Sequence, residues 1–469
     1  MAFDFDPWST QESVARGPTK DRLAANDAAL LCNFEAPRQP MNLREVVDRA
    51  LCHNPQSREA WASVKAHAAA LGVARANYLP NLTVNLGLAE SSTDIRGDAA
   101  NTGSHTSAAQ LSGNLTLGWL IFDFGQREAA IEQARQLLAA ANASEDALLQ
   151  QVLLQAARAA YRMTAEQAAL AAAITSETVA RRNYEAADAR HAAGVGAKAD
   201  ALQAGTALAQ ATLVRVRTEG GDQVAAGELA IAMGLAANTP FQLIDEDPPK
   251  PHADFLASVD ELIEQTKQSH PSLIAAQAQL QAARAETAQV DRSQWPTLAL
   301  VGALERDNPS GQYAADITVD QRRIGVQLSV PLFEGFSQLY RSRQVQAQAD
   351  MRQAELDQDE LQSSLEVWRS YQSLQTQTQS LAASESLLSS AAESYGEAEG
   401  RYKAGVGGII DLLNAQDVYA SAQYQRIAAQ SAWRIARLEL AASLGRLGVW
   451  TLDPARPLAA ADPHAAFSR

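Results

Sequence analysis

Two matching turns hold the residues whose types and spacing point to chemistry. Gly194-Val195-Gly196 precedes Asp200, and Gly405-Val406-Gly407 precedes Asp411; each acid lies six residues after the first glycine. Glycine ends helices because it accepts positive φ, and an acid early in the next helix meets the positive end of its dipole. The other reading of the acids is a ring of carboxylates at a constriction, repeated by symmetry between copies of the chain. Arg190 and Arg401, just ahead of the turns, are expected to bond last-turn carbonyls. The turns are not phosphate loops, because Gly196-Ala197-Lys198-Ala199 lacks the required Gly-Lys-Ser/Thr. The seven histidines show no i, i+3 or i+4 ligand spacing, and no Ser-His-Asp or Cys-His constellation can be argued. No enzyme, metal or cofactor is therefore expected.

Long helices must position these turns, and the chain builds that arrangement twice. Leu43-Arg44-Glu45 through Pro80 aligns without a gap on Val259-Asp260-Glu261 through Pro296. Leu120-Ile121-Phe122-Asp123 falls on Pro331-Leu332-Phe333-Glu334, and His191 through Gly196 on Tyr402 through Gly407. Each repeat predicts a helix from Leu43 or Val259, interrupted at Pro55 or Pro271 and stopped before Pro80 or Pro296. Two strands follow, then a very long helix: Gln126 to Ala193, or Ser337 onward past Gly396 and Gly400 to Ala404. At 1.5 Å per residue each reaches roughly 100 Å. Ile131, Ala134, Leu138, Ala141, Leu148, Val152 and Ala159 approach heptad spacing along the first. A return helix ends near Gly234 or Gly445. The expected organisation is a tail over 1–40, repeats over 41–236 and 258–448, a linker over 237–257 carrying Asp245 to Pro251, and a tail over 449–469.

The strands alternate with period two. Leu82, Val84, Leu86 and Leu88 alternate with Thr83 and Asn85; Leu111, Leu115, Leu117 and Trp119 with Ser112 and Asn114; Ile324, Val326, Leu328 and Val330 with Gln327 and Ser329. Leu298 to Leu304 is a weaker match. Polar loops are expected over Ser91–Ala109 and Arg306–Asp320. A net charge of -15 without massed Arg or Lys excludes nucleic acid as a partner, and no apolar run is long enough for a transmembrane helix. Four strands of about ten residues span a bilayer but cannot close a barrel alone. They must be pooled between chains, eight from a dimer or twelve from a trimer, and a duct with a polar lumen needs the wider one. Aromatics cluster at strand ends, among them Tyr78, Trp119, Phe122, Trp295 and Phe333, as in the girdles of barrels that contact outer-membrane lipid. A non-membrane helical scaffold is the alternative of a different class; it would have no use for strand pairs and would stay soluble without detergent.

With its repeats, and above all Arg401 through Gln416 (Arg-Tyr-Lys-Ala-Gly-Val-Gly-Gly-Ile-Ile-Asp-Leu-Leu-Asn-Ala-Gln), the chain resembles the TolC family of outer-membrane factors over about Leu43 to Leu447. The resemblance implies a mixed, mainly α fold: a homotrimer with a 12-stranded outer-membrane β-barrel continued by a long helical tunnel across the periplasm. It implies docking of the tips (Gly194, Val195, Gly196, Asp200, Arg401, Tyr402, Gly405, Val406, Gly407, Asp411, Asn414) to a periplasmic adaptor, or membrane fusion protein. Leu51-Cys52-His53-Asn54-Pro55 is similar to members serving type I protein secretion, which implies an inner-membrane ABC transporter and a secreted protein cargo. A multidrug efflux pump is the alternative. Members often carry two aspartates one turn apart in the second tip helix; here Asp411 matches the first and Asn414 replaces the second. Gly407 stands where some relatives have arginine, so a salt-bridged lock at this tip is not expected.

Cys32 and Cys52 are the only cysteines. In an oxidising compartment they are expected to form a disulfide joining the N-terminal segment to the first helix. Cys32 is not read as a lipid anchor, because Leu31 is too bulky for a lipoprotein cleavage site. Met1–Thr10 has neither a basic start nor an apolar core, so it is not a signal peptide; the native start is expected upstream of it.

Overall fold

A computed structural model of the chain describes residues 7–10, 40–95, 104–244, 259–310 and 318–447. Its elements run α1 (Leu43–His53), α2 (Pro55–Ala76), β1 (Asn81–Ile95), β2 (Ser104–Phe122), α3 (Gln126–Ala192) and α4 (Lys198–Ala232). The same order follows in α5 (Val259–Ser269), α6 (Pro271–Arg292), β3 (Thr297–Ser310), β4 (Val319–Ser329), α7 (Ser337–Lys403) and α8 (Ile409–Ser443). Helix lengths match between the halves: 11 and 22 residues for the short pair, 67 for the long helix, 35 for the return helix. Among the described residues, no helix is long and apolar enough to cross a membrane. The expected linker from Asp245, the tail from 449 and Cys32 lie outside the described residues. Within the expected N-terminal tail, Thr10 is buried and the Trp8 carbonyl accepts from Arg75.

The breaks follow from local chemistry. Asn42 caps α1 by accepting from the Glu45 amide. At the break before Pro55, Asn54 accepts from the Gln56 amide and donates to the Ala232 carbonyl. Four helices, α3, α4, α7 and α8, end alike. Gly194, Gly234, Gly405 and Gly445 take φ of 75°, 75°, 77° and 66°. The next amide reaches back five residues, as in Val195 to Arg190 and Leu235 to Ala230. This closure satisfies carbonyls that would otherwise be orphaned.

The chain divides into two compact units, and each draws on both halves of the sequence. One holds Val64–Ala141 with Ala276–Leu356; its helical core joins Val64, Ala68 and Leu71 to Ile131 and Leu138. The other holds Asn142–Ala275 with 40–63 and 357–447 among the described residues. Its main core joins Met41, Val46, Val47 and Ala50 to Val152, Leu153, Leu229 and Met233. The spaced apolar positions of α3 are buried or half-buried in these cores.

The first unit carries a four-stranded antiparallel sheet in the order β1-β2-β3-β4, made of two strand pairs separated in sequence by α3 to α6. Its register aligns the alternation across strands: Leu82 faces Leu117, Val84 faces Leu115, Leu115 faces Leu304 and Leu300 faces Val326. One sheet face is thus apolar from the helix-proximal strand ends as far as Leu88, Leu304 and Ile324, with Arg306, Asp320 and Arg322 beyond on the same face; Leu86, Leu88 and Ile324 are 81%, 81% and 77% exposed. Thr83, Asn85, Ser112, Asn114, Gln327 and Ser329 share the opposite face. The weak third strand pairs fully, with Gly302 and Ala303 between its leucines.

The polar loops are shorter than expected. Residues 91–95 pair with 104–108, and Arg306 and Asp307 pair with Asp320 and Val319. An antiparallel ladder needs no apolar face where polar partners stand directly opposite. Asp94 meets His105 at 2.5 Å, and Arg306 grips both carboxylate oxygens of Asp320 at 2.6 and 2.9 Å.

Candidate functional site

The tip residues fall on two helical hairpins, α3–α4 and α7–α8. At both, the first glycine is required by positive φ with open space around it. The second is required by contact: a Cβ on Gly196 would meet Arg190 Cβ at 3.0 Å, and one on Gly407 would meet Arg401 Cβ at 3.1 Å and its carbonyl carbon at 3.2 Å. The valine between them projects outward, Val195 being 76% and Val406 71% exposed. Ile409 and Leu412 anchor the start of α8 in the core, as Ala201 and Ala204 anchor α4. Asp200 and Asp411 lie in the first turns of α4 and α8. Among the described residues, neither side chain has an ion pair or hydrogen bond.

Arg401, Gly407, Asp411 and Asn414 come together along one open groove between α7 and α8, of 410 Å³, with Glu397. Gly194, Val195, Gly196 and Asp200 belong to the other hairpin. Arg190 and Tyr402 link the two, the guanidinium lying 5.1 Å over the ring. The expectation that Arg190 and Arg401 bond last-turn carbonyls is corrected here. Among the described residues neither guanidinium bonds a carbonyl: Arg190 lies over the Tyr402 ring, and the turn carbonyls of Arg190 and Arg401 accept from the amides of Val195 and Val406 instead.

Sequence reasoning missed the contacts that brace the hairpins farther from the turns. Asn183 donates to Gln416 at 2.7 Å, and Tyr395 stacks on Tyr419 at 5.6 Å. Glu177 receives Thr212, Arg215 and Arg181; the Thr212 hydroxyl first, and the two arginines, hold its carboxyl below the usual range. Only the Glu177/Arg181 spacing was a visible signal.

The strand-end aromatics form three groups. Trp119 donates to the Tyr78 carbonyl at 2.9 Å, while Phe124 lies 4.7 Å from Phe122 and 5.3 Å from Trp295. Phe333 pairs with Phe336 at 5.4 Å. Trp119, Phe122, Trp295 and Phe333 stay 40–73% exposed.

A model of the family described as outer membrane efflux protein matches residues 46–235 and 262–446, once in each half. The chain is 31% identical to Protein CyaE of Bordetella pertussis over 448 residues, covering 94% of this chain and 92% of that one. In fold it matches the outer-membrane channel OprN, with a TM-score of 0.74 and 20% identity over 87% of this chain and 90% of that one. The outer membrane protein VceC of Vibrio cholerae gives 0.71 and 21% over 86% and 96%. The two matched stretches together span most of the sequence, and the chain is therefore a member of the TolC-like outer membrane efflux protein family, placed in the outer membrane with its helical part in the periplasm.

Proposed function

We propose that the protein is the outer-membrane channel-tunnel of a type I secretion system. In this reading three copies pool their strands into a 12-stranded barrel, and the repeats 41–236 and 258–448 supply a helical tunnel. The tips dock to a periplasmic adaptor that joins them to an inner-membrane ABC transporter, and a protein cargo leaves through the lumen. The observation that carries the duct is the sheet: four strands with one exposed apolar face, and with β1 and β4 left as edges among the described residues. In lipid an open edge leaves amides and carbonyls without partners, so closure with other copies is required. Tyr78, Trp119, Phe122, Trp295 and Phe333 then stand at the lipid interface. The non-membrane scaffold is set aside by the outer-membrane family.

Protein cargo is supported by the likeness of Leu51–Pro55 to members serving type I secretion; a toxin of the cyclolysin (adenylate cyclase-haemolysin) kind fits it. The second reading, an efflux-pump component, is favoured by the family's description. Cross-linking in cells, followed by identification of the inner-membrane protein recovered with this chain, separates them. An ABC transporter, with loss of an exported protein when the chain is deleted, supports secretion. A drug pump, with unchanged export, overturns it.

A further inference from the structure

The repeats differ most where strand becomes helix. In the first, Asp123 is 5% exposed and closes the turn, accepting from the Gly125 amide at 3.2 Å and the Arg127 amide at 2.9 Å. Its Oδ2 also takes the Arg127 Nε at 2.9 Å. The rest of that guanidinium donates to the carbonyls of Asn77, Leu120 and Ile121 and lies 4.3 Å over the Tyr78 ring. Arg292 adds a bond to the Gly125 carbonyl at 2.9 Å. One buried ion pair therefore ties together the end of β2, the first turn of α3 and the chain leaving α2.

The second junction repeats the run of positive φ without a buried ion pair, and its strand stops earlier: β4 ends at Ser329, well short of Gly335, whereas β2 runs to Phe122. Two successive residues take positive φ in both, Phe124 and Gly125 at 51° and 84°, Gly335 and Phe336 at 62° and 63°. Left-handed φ in phenylalanine is strained and persists where the surroundings impose it. At Phe124 they do. At Gly335 nothing lies within 4 Å of where a Cβ would stand, and Phe336 is 65% exposed. Glu334 replaces Asp123, is exposed, and among the described residues its carboxylate meets the Ser337 hydroxyl at 3.3 Å and Arg341 at 3.8 Å. Gln338 stands in the place of Arg127 and reaches the end of α6, donating to the Val290 carbonyl and accepting from the Ser293 hydroxyl at 3.4 Å; among the described residues it gathers no carbonyl from β4.

We propose that the two junctions are mechanically unequal: the Asp123–Arg127 pair locks the first strand-to-helix turn, while the second, at Gly335-Phe336, is a hinge where α7 can change direction relative to β4. The twofold sequence repeat thereby carries one fixed and one bending connection.

Residue-resolved amide hydrogen exchange on the full chain in detergent and in phospholipid vesicles tests this. The amides of Gly125 and Arg127 should exchange at least tenfold more slowly than their counterparts Phe336 and Gln338. R127Q should remove that difference by speeding the first pair alone. Should R127Q not fold, the converse variant E334D/Q338R, which installs the pair at the second turn, should slow Phe336 and Gln338 by a similar factor. Equal protection of the two junctions in the unaltered protein overturns the proposal, and would indicate that a neighbouring copy clamps the second. No response to the installed pair overturns it as well.

Discussion

Gly194 and Gly234 share a φ of 75° but not a neighbourhood, so replacing each with alanine separates conformational strain from crowding. At Gly194 a Cβ meets nothing within 4 Å. G194A should therefore cost only the left-handed strain of an L-residue, about 1–2 kcal/mol. At Gly234 the same atom would stand 2.6 Å from the His53 carbonyl oxygen and 2.8 Å from its carbon. Both are backbone atoms at the end of α1, where Asn54 also fastens to Ala232. Relief requires moving a helix end in the main core, which adds about 1–3 kcal/mol. G234A should thus lie below G194A by that increment, a few degrees in unfolding midpoint at roughly 2 °C per kcal/mol. Because large membrane proteins unfold irreversibly, the midpoints must be compared at one scan rate in one detergent. G445A, facing His270 Cα and Pro271 Cδ at 2.9 Å, should behave like G234A, and G405A like G194A. Equal losses in all four variants would falsify the claim that the return helices are seated by close contact.

Three further outcomes follow from particular groups. We predict that Cys32 pairs with Cys52, so protein purified without reductant should show no alkylatable thiol; such a bond would close a loop of about 20 residues, worth roughly 3 kcal/mol, and two free thiols refute it. Burial lowers the His270 pKa from its ordinary 6.5, against the Glu366 carboxylate and a hydrogen bond with the Ala442 backbone, which raise it; the Ser272 hydroxyl sits on its Nδ1 at 2.7 Å. The fold thus favours the neutral ring: its contribution is complete above 6.5 and declines as pH falls from there toward the lowered value. H270N should flatten that part of the stability profile, and an unchanged profile counts against the assignment. In planar bilayers D411A should weaken cation selectivity and divalent block with only a modest rise in conductance; a several-fold opening with selectivity intact would make Asp411 a lock.

Much of this was legible because the decisive residues have strong local effects. Pro55 and Pro271 break one helix and open the next, and Pro80 and Pro296 follow helix ends; α1 and α5 stop at His53 and Ser269, two residues before the prolines that start α2 and α6. Glycine at 194 and 405 marked the reversals, and at 234 and 445 the ends of the return helices, because positive φ is what it permits. Alternation located the strands, but not their ends. Ser91 to Ile95 and Arg306 to Asp307 read as loop because polarity alone says nothing of a partner standing opposite. Gly407 was readable as helix punctuation, yet its true constraint is the Arg401 backbone 3.2 Å away, a distance no spacing reveals. The Asp123/Arg127 pair was visible as an i, i+4 spacing at a helix start, but its burial and the carbonyls it gathers from Asn77, Leu120 and Ile121 depend on how α2 and β2 return to it.

The claim that the edge strands β1 and β4 are completed by other copies is tested most directly by the detergent-corrected mass of the purified protein. Three chains of 50.1 kDa are predicted, resisting heat dissociation in SDS and forming channels in planar bilayers. A mass of one or two chains, in protein that still forms channels, would contradict the account.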